Sequence, residues 1–282
     1  LVGIKDEKKG LYWLRKAANQ GSAADQLLLG IEYANGSVVK KNEQKAFEWF
    51  EKSANQGNVD AQWQLACCYA RGKGVEVDNR MSVIWSKKAA IKGHVKAQYS
   101  VGLSYELGIG GEKDSRKAFE WMEKSANQGD AEAQYKLGLY YRTSVGVIKD
   151  DLKSCRWYEK SAKQNHSKAQ YSLGINYLYG KGVNKDPRKA YEWLEKAAKQ
   201  DLAVAQVYLA GCYDLGVGTK KNPRKAFEWV QKAAQLNHAE AQYMLGQSYY
   251  YGEGVSRNPA MAKKWIKKSH DNGNKKAADS IC

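Results

Sequence analysis

Ala-Glu-Ala-Gln-Tyr-Lys-Leu-Gly-Leu-Tyr-Tyr at 131–141 decides the fold. At about 100° per residue, Ala133, Gln134, Leu137, Gly138 and Tyr141 share one side, as in a helix with one buried stripe. The same pattern recurs every 36 residues. Glutamine returns at Gln26, Gln62, Gln98, Gln134, Gln170, Gln206 and Gln242, and tyrosine at Tyr33, Tyr69, Tyr105, Tyr141, Tyr177, Tyr213 and Tyr249. Gly138 returns as Gly30, Gly102, Gly174 and Gly246, with alanine at Ala66 and Ala210. A glycine inside a helix costs stability, so its repetition points to close approach of a neighbouring helix.

Downstream of each such helix A lies a glycine-rich loop, as in Tyr179-Gly180-Lys181-Gly182-Val183, and then a second helix, B. The loop lacks the strand-then-helix context of a phosphate loop and recurs in nearly every unit, which assigns it to turn geometry. Helix B carries Trp13, Trp49, Trp85, Trp121, Trp157, Trp193, Trp229 or Trp265, always 36 apart. Its start is marked by Asn42, Asp78, Asp114, Asp150, Asp186, Asn222 or Asn258, residues that cap the free N–H groups of a first turn. Pro187, Pro223 and Pro259 follow at the first helical position. Its end is marked by Gly57, Gly93, Gly129, Asn165, Asp201, Asn237 or Gly273, which tolerate a left-handed backbone. These acidic and amide residues therefore read as caps rather than catalytic carboxylates. The tryptophan, beside the alanines of Lys-Ala-Ala or Lys-Ser-Ala, predicts a knob packed into a hole between helix pairs.

The expected architecture is all-α, with about seven antiparallel helix pairs in one solenoid domain spanning 1–282. Residues 1–21 read as a partial first repeat with helix B only, 22–273 as seven helix pairs, and 274–282 as the start of a further helix A. Composition agrees. Apolar residues make up 43% and charged residues 27%, with three prolines and nine tryptophans. No apolar run reaches about 18 residues, so no membrane-spanning helix is expected. The chain opens at Leu1, inside a repeat, which leaves the N-terminus incomplete and both periplasmic or secreted and cytoplasmic locations open.

The net charge of +16 is unevenly placed. Residues 1–141 hold 21 Lys/Arg against 17 Asp/Glu (+4), and residues 142–282 hold 25 against 13 (+12). A solvated lysine-rich surface explains this simply; an acidic partner of the second half is the functional alternative.

The string Ala-x-Ala-Gln-Tyr-x-Leu-Gly-x-x-Tyr-x-x-Gly-x-Gly-Val, followed by Asp-x-x-Lys-Ala-x-x-Trp-x-x-Lys-Ala-Ala, resembles the Sel1-like repeat family, relatives of tetratricopeptide repeats. Residues 131–141, 169–198 and 241–255 match it especially well, and the resemblance covers essentially the whole chain. It implies a right-handed α-solenoid superhelix with helix A lining the concave side, an adaptor or scaffold role, and a bacterial source. Immunity proteins against secreted toxins and envelope or host-contact factors also occur in the family. One branch staples each helix pair with a disulfide. Of Cys67, Cys68, Cys155, Cys212 and Cys282, only Cys68 and Cys212 share a repeat position, so no disulfide framework is expected.

Motifs for chemistry are missing: no G-x-S-x-G, H-E-x-x-H or Walker sequence is present. His94, His166 and His238 recur at 72-residue spacing, on the order of 20 Å apart for stacked helix layers of ~10 Å. A metal needs ligands about 2 Å from itself, so they read as surface or capping residues where helix A begins. No catalytic residue, metal or cofactor is expected, and the chain is read as a non-enzyme.

The residues about 160° from the buried stripe of helix A are the candidates for partner contact. One row holds Trp63, Tyr99, Tyr135, Tyr171 and Tyr243. The next holds Ile31, Cys67, Leu103, Leu139, Ile175, Gly211 and Gln247. The third holds Glu106, Arg142, Leu178, Asp214 and Tyr250. Trp63, Tyr179, Tyr208, Tyr250 and Tyr251 stand outside the repeat or vary from it and are the strongest candidates, because interfaces favour Tyr, Trp and Arg. The expected function is a non-catalytic scaffold binding a protein or peptide, an acidic one being compatible with the charge. The alternatives are an immunity or inhibitor protein and an envelope or glycan-binding module. No recognition module for nucleic acid is evident.

Overall fold

The computed structural model describes residues 2–278, with side chains for 9–277. Its helices gather into two compact units, residues up to Ala133 together with Ser144–Ile148, and Gln134–Thr143 together with the residues from Lys149 on. The first unit contains α1 (Val2–Asn19), α2 (Ala23–Asn35), α3 (Glu43–Asn55), α4 (Val59–Arg71), α5 (Asn79–Ile91), α6 (Val95–Leu107) and α7 (Ser115–Asn127). Most of α8 (Ala131–Thr143) belongs to the second, with α9 (Asp151–Lys163), α10 (Ser167–Tyr179), α11 (Pro187–Ala198), α12 (Ala203–Leu215), α13 (Pro223–Gln235), α14 (Ala239–Tyr251), α15 (Pro259–Asp271) and α16 (Lys275–Ala278). Among the described residues there is no strand, and successive helices pack in pairs, an α-solenoid. Even-numbered helices are A helices and odd-numbered ones are B helices. Residues 279–282, which include Cys282 and the last four positions of the expected further helix A, lie outside the described residues.

Local chemistry sets the element ends. From α3 to α15, each B helix has its Asn or Asp cap accepting the backbone N–H three residues on, at 2.8–3.0 Å. Beyond it, Gly57, Asn165 and Asp201 take φ of 88°, 65° and 58°, the left-handed turn foreseen for these positions. Each loop is closed by the repeating tyrosine, whose backbone carbonyl accepts from the next cap residue's N–H, as Tyr33 does from Asn42 at 2.8 Å. The second loop glycine lies against backbone of the preceding B helix. A Cβ at Gly182 would overlap the carbonyl of Asp151, so the glycine-rich loop is a packing device.

Within each pair the glycine of helix A admits a large side chain 20 positions on. A Cβ at Gly30 would lie 2.6 Å from the Phe50 ring, one at Gly174 2.8 Å from Leu194, and one at Gly246 2.6 Å from Ile266. Where helix A carries Ala66 or Ala210 instead, the facing residue is the smaller Ser86 or Val230. Volume is therefore shared between the two helices.

This corrects the reading of the tryptophans. The residue after the tryptophan is the knob; of the series, only Trp85 is buried (6% exposed), and the others are half-buried or, like Trp13, exposed. What the indoles carry is a lysine three residues on, with Lys52 Nζ 4.2 Å from the Trp49 ring centre, Lys88 3.7 Å from Trp85 and Lys160 3.8 Å from Trp157. Both groups lie one helical turn apart at the rim of the core, a cation–π arrangement.

The buried glutamines join three helices. Gln26 Nε2 donates to Ala18 O at 3.0 Å, at the end of the preceding helix B, and its Oε1 accepts from Gln56 of the following one at 2.7 Å. Gln98 with Gln128 and Gln170 with Gln200 repeat the second contact, at 2.6 and 2.7 Å. Lys92 and Leu236 replace the outer amide in two repeats, and there the buried Oε1 atoms of Gln62 and Gln206 have no protein partner.

Candidate partner-binding face

The outward side of helix A is positioned by this packing, since the glutamine and glycine stripe is turned inwards. In the first unit Trp63, Tyr99, Leu103 and Glu106 lie on that side and are all half-buried. Trp63 stacks on the His94 ring at 5.4 Å and packs against the apolar clusters around Leu65 and around Val101. Tyr99 is packed too: burial, with carboxylates of Glu132, Asp130 and Glu106 nearby, pushes its hydroxyl up to about 12. His94 caps α6, its Nδ1 accepting from Ala97 N–H at 3.1 Å, and burial lowers its pKa despite Asp60. His166 and His238 cap α10 and α14 in the same way.

In the second unit Tyr135, Leu139, Tyr171, Ile175, Tyr208 and Tyr243 are half-buried, and Arg142, Tyr179, Asp214, Tyr250 and Tyr251 are exposed. Tyr135 lies on His166 at 4.9 Å, and Tyr171 meets Tyr208 edge-on at 5.5 Å, so the tyrosine row is a seam between successive A helices as well as a surface. Arg142 reaches back over the Tyr158 ring at 5.9 Å. Tyr250 and Tyr251 form an edge-on pair at 4.9 Å, with the Arg257 guanidinium 5.6 Å from the Tyr250 ring.

The second unit also holds a groove of about 1150 Å³ that the sequence reading did not single out. Its floor is α12, where two outward rows are cut back. Val207 stands in the row of Trp63, Tyr99, Tyr135, Tyr171 and Tyr243, and Gly211 in the row of Leu103, Leu139 and Ile175. They are one helical turn apart, so the two truncations open one continuous space. A Cβ at Gly211 would meet nothing within 4 Å, unlike the stripe glycines. Leu178, Tyr179, Tyr208 and Leu215 form apolar walls, Leu215 being 73% and Tyr179 59% exposed. Tyr179 and Tyr208 were expected at a binding face, and the structure brings them together here. Asp214, although one residue from Leu215, is not part of the lining. The signal for the groove was legible as breaks in the 36-residue rows.

The groove's rim is basic. Lys185, Arg188 and Lys220 line it, and their side chains pair with no carboxylate among the described residues. Asp186 also lines it but is engaged, accepting from Lys189 N–H at 3.0 Å and facing Lys189 Nζ at 3.7 Å. The thiols of Cys67, Cys68, Cys155 and Cys212 are free, and burial raises the pKa of each, Cys68 and Cys212 to about 11. Among the described residues, no three His, Cys, Asp or Glu gather where they could hold a metal, and no helix is long and apolar enough to cross a membrane.

Comparison with known proteins agrees with this geometry. The Sel1 repeat matches eight times in succession, over residues 3–22, 23–58, 59–94, 95–130, 131–166, 167–202, 203–238 and 239–274. A protective antigen of uropathogenic Escherichia coli strains is 34% identical with a TM-score of 0.91, over 98% of this chain and 60% of that one. The chain thus spans well under two thirds of that antigen's length. A Sel1 repeat protein from Oxalobacter formigenes is 32% identical with a TM-score of 0.79, over 99% of this chain and 80% of that one. No curated protein matches the chain. With its repeats matched over residues 3–274 and two bacterial structures sharing its fold, the chain belongs to the Sel1 repeat family, whose repeat fold is generally non-catalytic and whose members generally mediate protein–protein interaction.

Proposed function

We propose that this chain is a binding scaffold that takes a protein or peptide partner on the outward face of its A helices. The observation that carries the reading is the exposure of Tyr179, Leu215, Tyr250 and Tyr251, all at the C-terminal ends of the successive A helices α10, α12 and α14. Large apolar groups left in water beside one another mark interaction surfaces, and tyrosine is favoured at them.

Site-specific crosslinking tests this. A photoreactive phenylalanine analogue replaces Tyr179, Tyr250 or, on an exposed helix-B position, Arg224. Crosslinks to one protein from Tyr179 and Tyr250, with none from Arg224, support the reading. Crosslinks from Arg224 alone refute it. Tyr250→Ala/Tyr251→Ala is the accompanying variant, because Trp63 packs against two core clusters and its removal would disturb the fold.

A further inference from the structure

We infer that the α10–α12 groove is a pocket for an acidic peptide segment that inserts one bulky apolar side chain over Gly211. The inference rests on the scaffold reading above and adds the place and the chemistry of the partner.

Shape comes first. The small side chain of Val207 and the absence of one at Gly211 leave a gap one helical turn long, floored by α12 and walled by Leu178, Tyr208 and Leu215. Nothing in the fold needs that gap: the glycines of the inward stripe each face a close neighbour, and Gly211 faces none. At about 1150 Å³ the space exceeds the ~300–1,000 Å³ typical of small-molecule sites, and two of its walls are strongly exposed, which suits a segment of chain laid across it. Charge comes second. Lys185, Arg188 and Lys220 line the groove with no carboxylate partner among the described residues, while the acidic residue present, Asp186, is committed to capping α11. A segment with carboxylates on both sides of a leucine or phenylalanine would answer walls and rim together. A segment with only charge would leave the apolar walls in water, and one with only apolar residues would leave the cations unanswered.

The test is fluorescence anisotropy on the full chain, with fluorescein-labelled Asp-Asp-Glu-Leu-Glu-Asp-Asp as the probe. Expected is saturable binding that weakens by about tenfold or more when the central Leu becomes Gly, the scale of one buried aliphatic side chain. Gly211→Leu, whose Cβ would meet no neighbour within 4 Å, is expected to cause a similar loss without lowering the melting temperature. Lys185→Glu/Arg188→Glu/Lys220→Glu is expected to abolish binding. Absence of saturable binding, equal affinity for the Leu and Gly peptides, indifference to Gly211→Leu, or equally tight binding of an oligothymidylate of the same charge would each overturn the inference. Should the peptide fail while crosslinks from Tyr250 persist in Gly211→Leu, only the groove assignment falls. Crosslinks confined to Arg224 would remove the scaffold reading itself.

Discussion

Replacing Gly30 by alanine separates helix propensity from packing. In an isolated helix interior the change stabilises by about 0.8–1 kcal/mol. Here the new Cβ would stand 2.6 Å from both Cδ1 and Cε1 of Phe50 and 3.3 Å from Ala46 O, whereas carbon atoms in good contact sit ~3.5–4.0 Å apart. Relief requires the Phe50 ring to move by about 1 Å, yet that ring is 3% exposed and held in the cluster of Leu65, Ala54 and Ala61. Overpacking of this kind costs about 1–3 kcal/mol, so after the propensity gain the expected net loss is about 0–2 kcal/mol. Phe50→Val, by contrast, opens a cavity and costs on the order of 2–3 kcal/mol alone. In that background Gly30→Ala should reverse sign and stabilise by about 1 kcal/mol, because the methyl enters vacated space and the propensity term is unopposed. The coupling between the two changes is then roughly 1–3 kcal/mol, beyond what independent sites show.

Native-state hydrogen exchange of the α2 and α3 amides is the suitable readout, since repeats of a solenoid can open one after another and a single melting point would average over them. Urea midpoints of the four proteins provide the cross-check. Equal effects of Gly30→Ala in both backgrounds would refute the shared-volume argument. So would stabilisation of the otherwise unaltered chain.

Three other outcomes follow from the same geometry. Leu236→Gln should stabilise the chain by about 1 kcal/mol in thermal or urea unfolding, by giving the buried Gln206 Oε1 the donor that Gln56 and Gln128 supply in their repeats; a destabilised variant would contradict the ladder. His94 should make the fold weaker in acid: its folded pKa lies below the unfolded value of about 6.5, so its contribution is full above that value and is lost as pH falls through the folded pKa. His94→Asn, which keeps the capping acceptor, should flatten that part of the stability–pH profile, and an unchanged profile would assign the dependence elsewhere. Cys68 and Cys212, with pKa raised by burial to about 11, should react with a thiol-specific disulfide reagent at pH 8 far more slowly in the folded chain than in guanidinium; fast labelling of either in the native state would show that its burial is wrong.

Most of the fold was legible because each element end is set by chemistry local to it. The Asn and Asp caps, the prolines behind them and the left-handed Gly, Asn and Asp residues need only their own few neighbours to act. The tryptophans misled because period alone does not say which way a residue faces. Trp49 and Phe50 are adjacent on α3, about 100° apart, and only Phe50 meets Gly30. The candidate face was partly legible for a related reason. The outward row could be placed by angle, but Trp63, Tyr135 and Tyr171 also touch the next A helix, a contact made across 30 or more positions of sequence. The groove depends on side chains that are small or missing, and Lys185, Arg188 and Lys220 enter it from two loops and from α11 rather than from helix A.

In a repeat this regular, the breaks in period carry information that the period cannot. At Ala66 and Ala210 the break is answered on the facing helix by Ser86 and Val230, so the volume is kept and the change stays a matter of packing. Lys92 and Leu236 leave a break unanswered inside the chain, and its cost is visible as two buried amide oxygens without partners. Val207 and Gly211 also go unanswered, but they face outwards, so they orphan no polar atom and strain no backbone; their consequence is an open, apolar space beside three cations that pair with no carboxylate among the described residues. Such a space exposes apolar wall to water and lowers the helix propensity of α12 at Gly211, both unfavourable for the isolated chain. A partner side chain occupying it would remove the first of these costs, and the carboxylates beside that side chain would meet the cations. The feature is therefore accounted for more fully by occupancy than by folding, which is why Gly211→Leu should improve the stability of the free chain while weakening its hold on the peptide.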